Sequence, residues 1–319
     1  MAEHHRPAGP GSQEGPGRHA GLGPLRSGAR VALLATAGQV PEDRVADGER
    51  VLRGWGLEVV SMPTSRGTHP RARYLSGTDA ERARDLQQAW CDPTVEGIFL
   101  VRGGYGTVRM LDLLDVDAIR AAAPKPVYGC SDITALQEFL DEQLGVASWH
   151  GPMVGSTSVQ KNALAAEWLR QAVLDPWRGR VIAPEDASWL VPGSAGGRLI
   201  GGNLSLLAMT LGARTRPPLD HEGTIALLED VHEATYKLDG YLTALLRAGW
   251  FDGVRAVACG SWHECKEPEV RELVLELLGP LDIPIAWNLG FGHASPVRTV
   301  PLGVDARLDG DTPRLTLPG

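Results

Sequence analysis

Apolar runs of strand length alternate with amphipathic stretches of helical length through most of this 319-residue chain, and no other feature restricts its fold as much. Residues 30–37 (RVALLATA), 57–62 (LEVVSM), 97–101 (GIFLV) and 126–129 (PVYG) are nearly continuous in apolar side chains, as strands buried on both faces are. Between them, residues 79–90 and 108–121 mix charged and apolar positions over helical lengths. Buried strands separated by amphipathic helices make a parallel sheet covered on both sides. The first half is therefore expected to be a doubly wound α/β domain.

The second half has the same texture on a smaller scale. Residues 223–228 (GTIALL) and 254–259 (VRAVAC) read as strands. Between them Leu238, Tyr241, Leu242, Leu245 and Leu246 share one helix face, and Gly249 follows as a stop. Residues 300–317 alternate around Asp309-Gly310, a hairpin signal. A smaller, β-rich α/β domain is expected there. Residues 177–202 lie between the halves as short β-like pieces broken by Pro and Gly. Glycine and proline number 39 and 23, and eleven of them fall in the first 29 residues. That opening stretch has too few apolar side chains to offset the entropy of ordering it. The other glycines and prolines must punctuate turns, which excludes a helical bundle or coiled coil. The expected organisation is a disordered tail at 1–29, a first domain at 30–176, a linker at 177–200 and a second domain at 201–319.

Charge and composition exclude several classes. The net charge is −8 and basic residues form only isolated pairs, so a nucleic-acid partner is not expected. No apolar stretch approaches the ~18 residues of a membrane span, and the N-terminus lacks the apolar core of a signal peptide. Cys91, Cys130, Cys259 and Cys265 are too few and scattered for a disulfide framework, so a reducing cytoplasm is the simplest location.

In open parallel sheets ligands gather beyond the carboxyl ends of the strands, so the residues that follow each strand are the candidates. After Val101 stands Arg102-Gly103-Gly104-Tyr105-Gly106-Thr107. Its glycines make either a plain tight turn or a loop whose N–H groups approach an anion. After Val127 stands Tyr128-Gly129-Cys130-Ser131-Asp132, and Ile133, Leu136 and Leu140 then begin a helix. Ser131 either projects as a nucleophile, with the Asp132 N–H beside it at the helix start, or one of the two caps the helix. The second glycine of a G-x-S-x-G pattern is absent. After Leu228 stands Glu229-Asp230-Val231-His232-Glu233. Asp230 and Glu233 have capping-box spacing, which leaves Glu229 to orient an imidazole. After Ile285-Ala286-Trp287, the run Asn288-Leu289-Gly290-Phe291-Gly292-His293 reads as an exposed loop delivering His293. Trp149-His150-Gly151-Pro152-Met153 and Gly201-Gly202-Asn203-Leu204 are further turns near strand ends. Asn203 reads first as the N-cap of a helix over 204–211, with a substrate contact as its second role.

Taken together, a serine, a carboxylate, a histidine and an amide loop, each after a strand, are the parts of acyl transfer. The competing patterns are weaker. Cys259, His263 and Cys265, with Glu264 and Glu267, match no usual zinc spacing, so no metal is expected. A dinucleotide fingerprint would follow the first strand, where Ala35-Thr36-Ala37-Gly38 supplies one glycine, so no cofactor is expected.

The ordered series Arg102-Gly103-Gly104-Tyr105-Gly106, Gly129-Cys130-Ser131-Asp132, Gly151-Pro152-Met153, Gly201-Gly202-Asn203-Leu204, Leu228-Glu229-Asp230 and Gly292-His293, then Pro301-Leu302-Gly303, resembles the LD-carboxypeptidase family of serine peptidases. This family includes muramoyltetrapeptide carboxypeptidases and the microcin C self-immunity peptidase, and the resemblance runs from about Arg30 to the C-terminus. It implies a Ser131–Glu229–His293 triad, with Ser131 in the doubly wound domain and the other two brought across a cleft by the second. Gly103, Gly104 and Asp132 would supply oxyanion-hole N–H groups, Tyr105 and Asn203 substrate contacts, and Arg102 would pair with a carboxylate, first a structural one and second that of the substrate. It also implies a cytoplasmic homodimer that acts on a small peptide, releasing terminal D-Ala from murein tetrapeptide by hydrolysis of an L,D bond. Hydrolysis of microcin C-like aminoacyl nucleotides is the sibling activity, and a non-catalytic ligand-binding protein is the alternative of another class. The sequence departs from the family at Ala35-Thr36-Ala37-Gly38, at Cys130, and at Gly240, where an Arg is expected after Lys237-Leu238-Asp239. These departures bear on substrate preference.

Overall fold

The apolar runs of the first half become five short parallel strands in the computed structural model, which describes residues 21–319. In chain order they are β1 (Arg30–Leu34), β2 (Glu58–Ser61), β3 (Gly97–Leu100), β4 (Val127–Gly129) and β5 (Ser148–His150), arranged β5-β4-β3-β1-β2. The helices are α1 (Glu42–Gly54), α2 (Asp79–Cys91), α3 (Val116–Ala121), α4 (Thr134–Leu144), α5 (Thr157–Lys161) and α6 (Ala163–Leu174). Thr78 and Glu81 close a capping box that starts α2. The single helix expected over 108–121 is instead two tight helical turns followed by α3. Asp115 restarts the chain there, its Oδ1 accepting the Ala118 N–H at 3.0 Å.

The second half builds β6 (Val181–Ile182), β7 (Ser188–Val191), β8 (Ala195–Asn203), α7 (Leu204–Thr210), β9 (Thr224–Val231), α8 (Thr235–Arg247), β10 (Val254–His263), α9 (Glu267–Leu278), β11 (Ile285–Trp287), β12 (Val300–Leu302), β13 (Asp305–Asp309) and β14 (Arg314–Thr316). Its sheet runs β6-β14-β13-β8-β9-β10-β11-β7, with β8 to β11 parallel and the flanking strands antiparallel. The hairpin expected around Asp309-Gly310 is β13–β14.

Two boundaries differ from expectation. Residues 177–200 are not a linker, because β6, β7 and most of β8 are strands of the second sheet. Of the expected tail, residues 1–20 lie outside the described residues, whereas 21–29 pack onto the body. Leu22 and Leu25 are buried there, and the Leu25 N–H donates to Val173 O at 2.8 Å. Their apolar side chains were outweighed in the sequence by the surrounding glycines and prolines.

Strand alternation distributes the core over three layers. Ala32, Leu34, Ile98 and Leu100 face α2, α3 and α4. Val31, Leu33 and Phe99 face the opposite way, and share one continuous core with α1, α6 and the second-sheet residues Leu199, Ile225, Leu227, Ala256 and Ala258. The other face of the second sheet, with Ala226, Leu228 and Val257, is covered by α7, α8 and α9. The sheets are therefore fused through a common apolar layer. The exchange is reciprocal, since β12 leaves the second half to pair antiparallel with β5 in the first sheet (Val300 opposite His150). Among the described residues, no helix is long and apolar enough to cross a membrane.

Candidate active site

The site grows from the carboxyl ends of β3 and β4 in one sheet and β9 and β11 in the other. Ser131 follows β4 and Cys130, and opens a helical turn that runs directly into α4. Its φ is +63°, a left-handed conformation uncommon for a residue other than glycine. Such a strained strand-to-helix turn lifts a side chain clear of the sheet edge. Neither residue caps the helix. Ser131 makes no capping bond, and the buried Asp132 turns its Oδ2 to the Thr107 N–H at 2.8 Å, fastening the glycine turn after β3 to the turn that holds the serine.

That fastening brings Gly103 against the serine. A Cβ on Gly103 would sit 2.9 Å from Ser131 Cβ, 3.1 Å from its Oγ and 3.5 Å from the Asp132 nitrogen. Gly103, Ser131 Oγ and the Asp132 N–H thus surround one small space, and no backbone hydrogen bond among the described residues engages the N–H of Gly103 or Gly104. Gly103→Ala is expected to fold but to displace the serine, lowering kcat by about 10²-fold, the order of loss when a reacting group is misplaced by about 1 Å. Comparing kcat with the thermal midpoint of the variant checks this.

Glu229 lies near the end of β9, fully buried and opposite Asn203 of β8. His293 stands in the loop after β11, and its Nδ1 lies 2.6 Å from Glu229 Oε2. Since an ionised carboxylate only accepts, Nδ1 carries the proton and Nε2 is the basic nitrogen. Burial pushes the Glu229 carboxyl up, but the charge of His293 and its hydrogen bond, joined by His150, outweigh this and hold it below the usual carboxylate range. Burial pushes His293 down, and the Glu229 carboxylate more than reverses it, so the imidazole titrates above its ordinary value. Gly292 permits the approach, since a Cβ there would fall 2.6 Å from Glu229 Oε2. No hydrogen bond joins Ser131 to His293 among the described residues; in free enzymes this contact is often long and tightens around substrate. The two sides meet through the Asn203 N–H, which donates to Thr134 Oγ1 at 3.0 Å, three residues beyond the serine.

Three supports escaped the sequence reading. Ser261, on β10, accepts the N–H groups of His293 and Ala294 at 2.8 and 3.0 Å and so fixes the histidine loop. His150 is fully buried, and its Nδ1 lies 3.1 Å from Gln137 Oε1. Gln137 in turn donates its amide to Gly129 O and Trp149 O, which fixes its orientation and makes His150 Nδ1 the donor. His150 Nε2 then faces Glu229 Oε1 across 3.7 Å, neither atom having another polar partner among the described residues. The only local signal for His150 was its place at a strand end.

The other expected residues are distributed as follows. Arg102 and Tyr105 are exposed at the rim, Tyr105 with its ring centroid 6.3 Å from that of Tyr74. Asn203 is buried: its Oδ1 caps α7 at the Leu206 N–H, and its Nδ2 donates to Asp230 Oδ1 at 2.9 Å. Asp230 therefore does not serve a capping box; α8 starts at Thr235 without a side-chain cap, and Glu233 pairs with Lys237. Cys259, His263 and Cys265 do not converge: Cys259 is buried in the helix-covered core while His263 faces solvent.

Comparison with known proteins decides the family. The model of the LD-carboxypeptidase N-terminal domain matches residues 31–151, and that of the LD-carboxypeptidase C-terminal domain matches residues 196–308. The chain belongs to the LD-carboxypeptidase family. A Streptomyces coelicolor protein classed among carboxypeptidases is 49% identical over 92% of this LD-carboxypeptidase family member and 94% of its own length. The murein tetrapeptide carboxypeptidase of Pseudomonas aeruginosa is 31% identical over 88% of this chain and 94% of its own, and the microcin C7 self-immunity protein MccF of Escherichia coli is 26% identical over 92% and 94%. Among solved structures, the muramoyltetrapeptide carboxypeptidase of Oxalobacter formigenes superposes with a TM-score of 0.77 at 26% identity, covering 91% of this chain and 99% of that one. The MccF-like protein of Bacillus anthracis shares the fold with a TM-score of 0.83 at 24% identity, over 92% and 98%. The two-domain α/β architecture is that of the family, and the chain is a carboxypeptidase of the murein-peptide and MccF group.

Proposed function

We propose that this protein is a serine LD-carboxypeptidase that hydrolyses the L,D peptide bond of murein tetrapeptide and releases terminal D-Ala. The observation that carries the reading is the Glu229–His293 hydrogen bond of 2.6 Å, joined through Asn203 and Thr134 to a serine held at positive φ. Ser131 Oγ attacks the carbonyl carbon as His293 Nε2 takes its proton. Glu229 keeps the ring in that tautomer and stabilises the imidazolium. The tetrahedral oxyanion is held by N–H groups of Gly103, Gly104 and Asp132. His293 then protonates the departing D-Ala nitrogen, the acyl-enzyme forms, and a water activated by the same imidazole releases the tripeptide. Arg102 and Tyr105 reach substrate from the rim, while Asn203 acts from behind by holding Asp230 and α7.

The likeness to MccF favours one second reading, hydrolysis of an aminoacyl nucleotide, for which the same triad serves. A purely binding role fits poorly with an ionised carboxylate buried behind an imidazole, an arrangement whose use is to move a proton. The test is incubation with L-Ala-γ-D-Glu-diamino acid-D-Ala. Free D-Ala is the expected product, its absence would overturn the murein reading, and an aminoacyl sulfamoyl nucleotide in a parallel reaction reports the second.

A further inference from the structure

Two arginines that have no carboxylate partner among the described residues meet in one cleft beside the nucleophile turn. Arg44 stands in the first turn of α1, after β1, and Arg102 stands two residues after the end of β3. β1 and β3 are neighbours where the strand order of the first sheet reverses, the chain passing to β2 on one side and to β4 on the other. Loops that diverge at such a point open a crevice at the carboxyl edge. Both arginines line it, together with Met153, Ser156, Thr157 and Ser158, in an open cleft of about 410 Å³ that has no acidic side chain among the described residues of its wall.

Several arginines of the first half are held by carboxylates. Arg66 pairs with Glu42 and Glu49, while Arg82 and Arg109 pair with Asp79. Arg44 and Arg102 have no ion pair among the described residues. Each is instead steadied by one carbonyl, Arg44 Nη1 donating to Gly155 O at 3.2 Å and Arg102 Nη1 to Gln39 O at 2.6 Å. A guanidinium has five N–H donors, so most remain for a guest, and planar forks of this kind match carboxylate and phosphate oxygens. Two like charges in one cleft repel each other, and an anion between them removes that repulsion.

Two residues of the cleft wall stand beside the nucleophile turn. Arg102 is joined to Gly103, whose Cβ position falls 2.9 Å from Ser131 Cβ, and Met153 Sδ lies 4.0 Å from the sulfur of Cys130, the residue before the serine. An enzyme that removes one terminal residue must distinguish a chain end from a chain interior, and the chemical mark of that end is its free carboxylate. We propose that Arg44 and Arg102 form the subsite for the oxyanion on the leaving side of the substrate: the carboxylate of the departing residue in a peptide, or the phosphoryl group in an acyl nucleotide. This rests on the serine-hydrolase reading given above and adds to it the determinant of exo-cleavage.

The test compares wild type with Arg44→Gln, Arg102→Gln, the double variant and Arg44→Lys, on tetrapeptide ending in D-Ala and on the same peptide ending in D-alaninamide. For the acid, each Gln variant is expected to raise KM by about tenfold with kcat changed far less, the mark of lost ground-state binding to a charged group. The acid-over-amide preference of the wild type should narrow in parallel, and Arg44→Lys should recover part of it. A preference that survives both Gln substitutions overturns the proposal. Competition by D-alanine, by AMP or by both distinguishes the carboxylate from the phosphoryl source. If wild type releases neither D-Ala from the acid nor D-alaninamide from the amide, the reaction assignment fails on its own, and binding of inorganic phosphate decides the subsite. Binding that is lost in the double variant, with its melting temperature retained, sustains the subsite, whereas no binding by wild type overturns it.

Discussion

Ser131→Ala is expected to lower D-Ala release by about 10⁶-fold, since members of such a triad act as a unit and the remainder without the nucleophile is small. The fold should be retained, because the Ser131 hydroxyl makes no capping bond and the turn is held by the Asp132 carboxylate on Thr107. The backbone supplies a second readout. At a φ of +63° a side chain's Cβ crowds the chain, and glycine does not suffer this. Ser131→Gly should be as inactive as Ser131→Ala yet more stable than it by about 1 kcal/mol. Turnover assays and thermal melts of the pair separate the two effects. Full activity in the alanine variant would remove Ser131 from the chemistry, and equal stabilities would show the turn to be unstrained.

Glu229→Gln carries the next largest effect. A neutral amide can no longer stabilise the imidazolium, and either amide face can meet Nδ1, so the basic nitrogen is no longer fixed on the serine side. A drop in kcat of about 10⁴-fold is expected, as for the equivalent change in other triads. The pH dependence gives the sign. Catalysis needs neutral His293, whose pKa the Glu229 carboxylate holds above the ordinary imidazole value, so wild-type kcat/KM should fall as pH drops through that raised value. Without the carboxylate, burial, the largest influence, favours the neutral ring against the weaker pull of Asp230, so the acidic limb of the variant should move to lower pH. A limb that stays in place would assign it to another group.

The parts of the site that were legible in the sequence are those built by neighbours along the chain. Gly103, Ser131 and His293 each follow a strand within a few residues and Glu229 lies near the end of one, so a strand pattern and a turn pattern suffice to place them at the carboxyl ends of strands. What the sequence concealed depends on pairings between distant segments. The contact between His150 and Glu229 exists because β5 and β9 belong to different sheets that share a core, and Ser261 reads as an ordinary strand serine until the histidine loop lies over it. Asp230 shows how a local rule misleads. Its spacing to Glu233 suits a capping box, but the Asn203 amide and the Ser205 N–H lie closer in space than the start of α8, and they claim the carboxylate. The tail boundary failed for a similar reason, since a few leucines outweigh many glycines when α6 offers them a surface.

The loop that carries His293 starts from β11 in one sheet and ends in β12, which belongs to the other. It is a tie rod between two beams, with Ser131 mounted on one and Glu229 on the other. In the proposed mechanism, the alignment of the three side chains would thus record the mutual position of two whole sheets. Catalysis should be the first property to fade as the common layer softens on heating, before the helical content changes. Cutting the chain ahead of β12 should uncouple the imidazole from the serine without touching either residue.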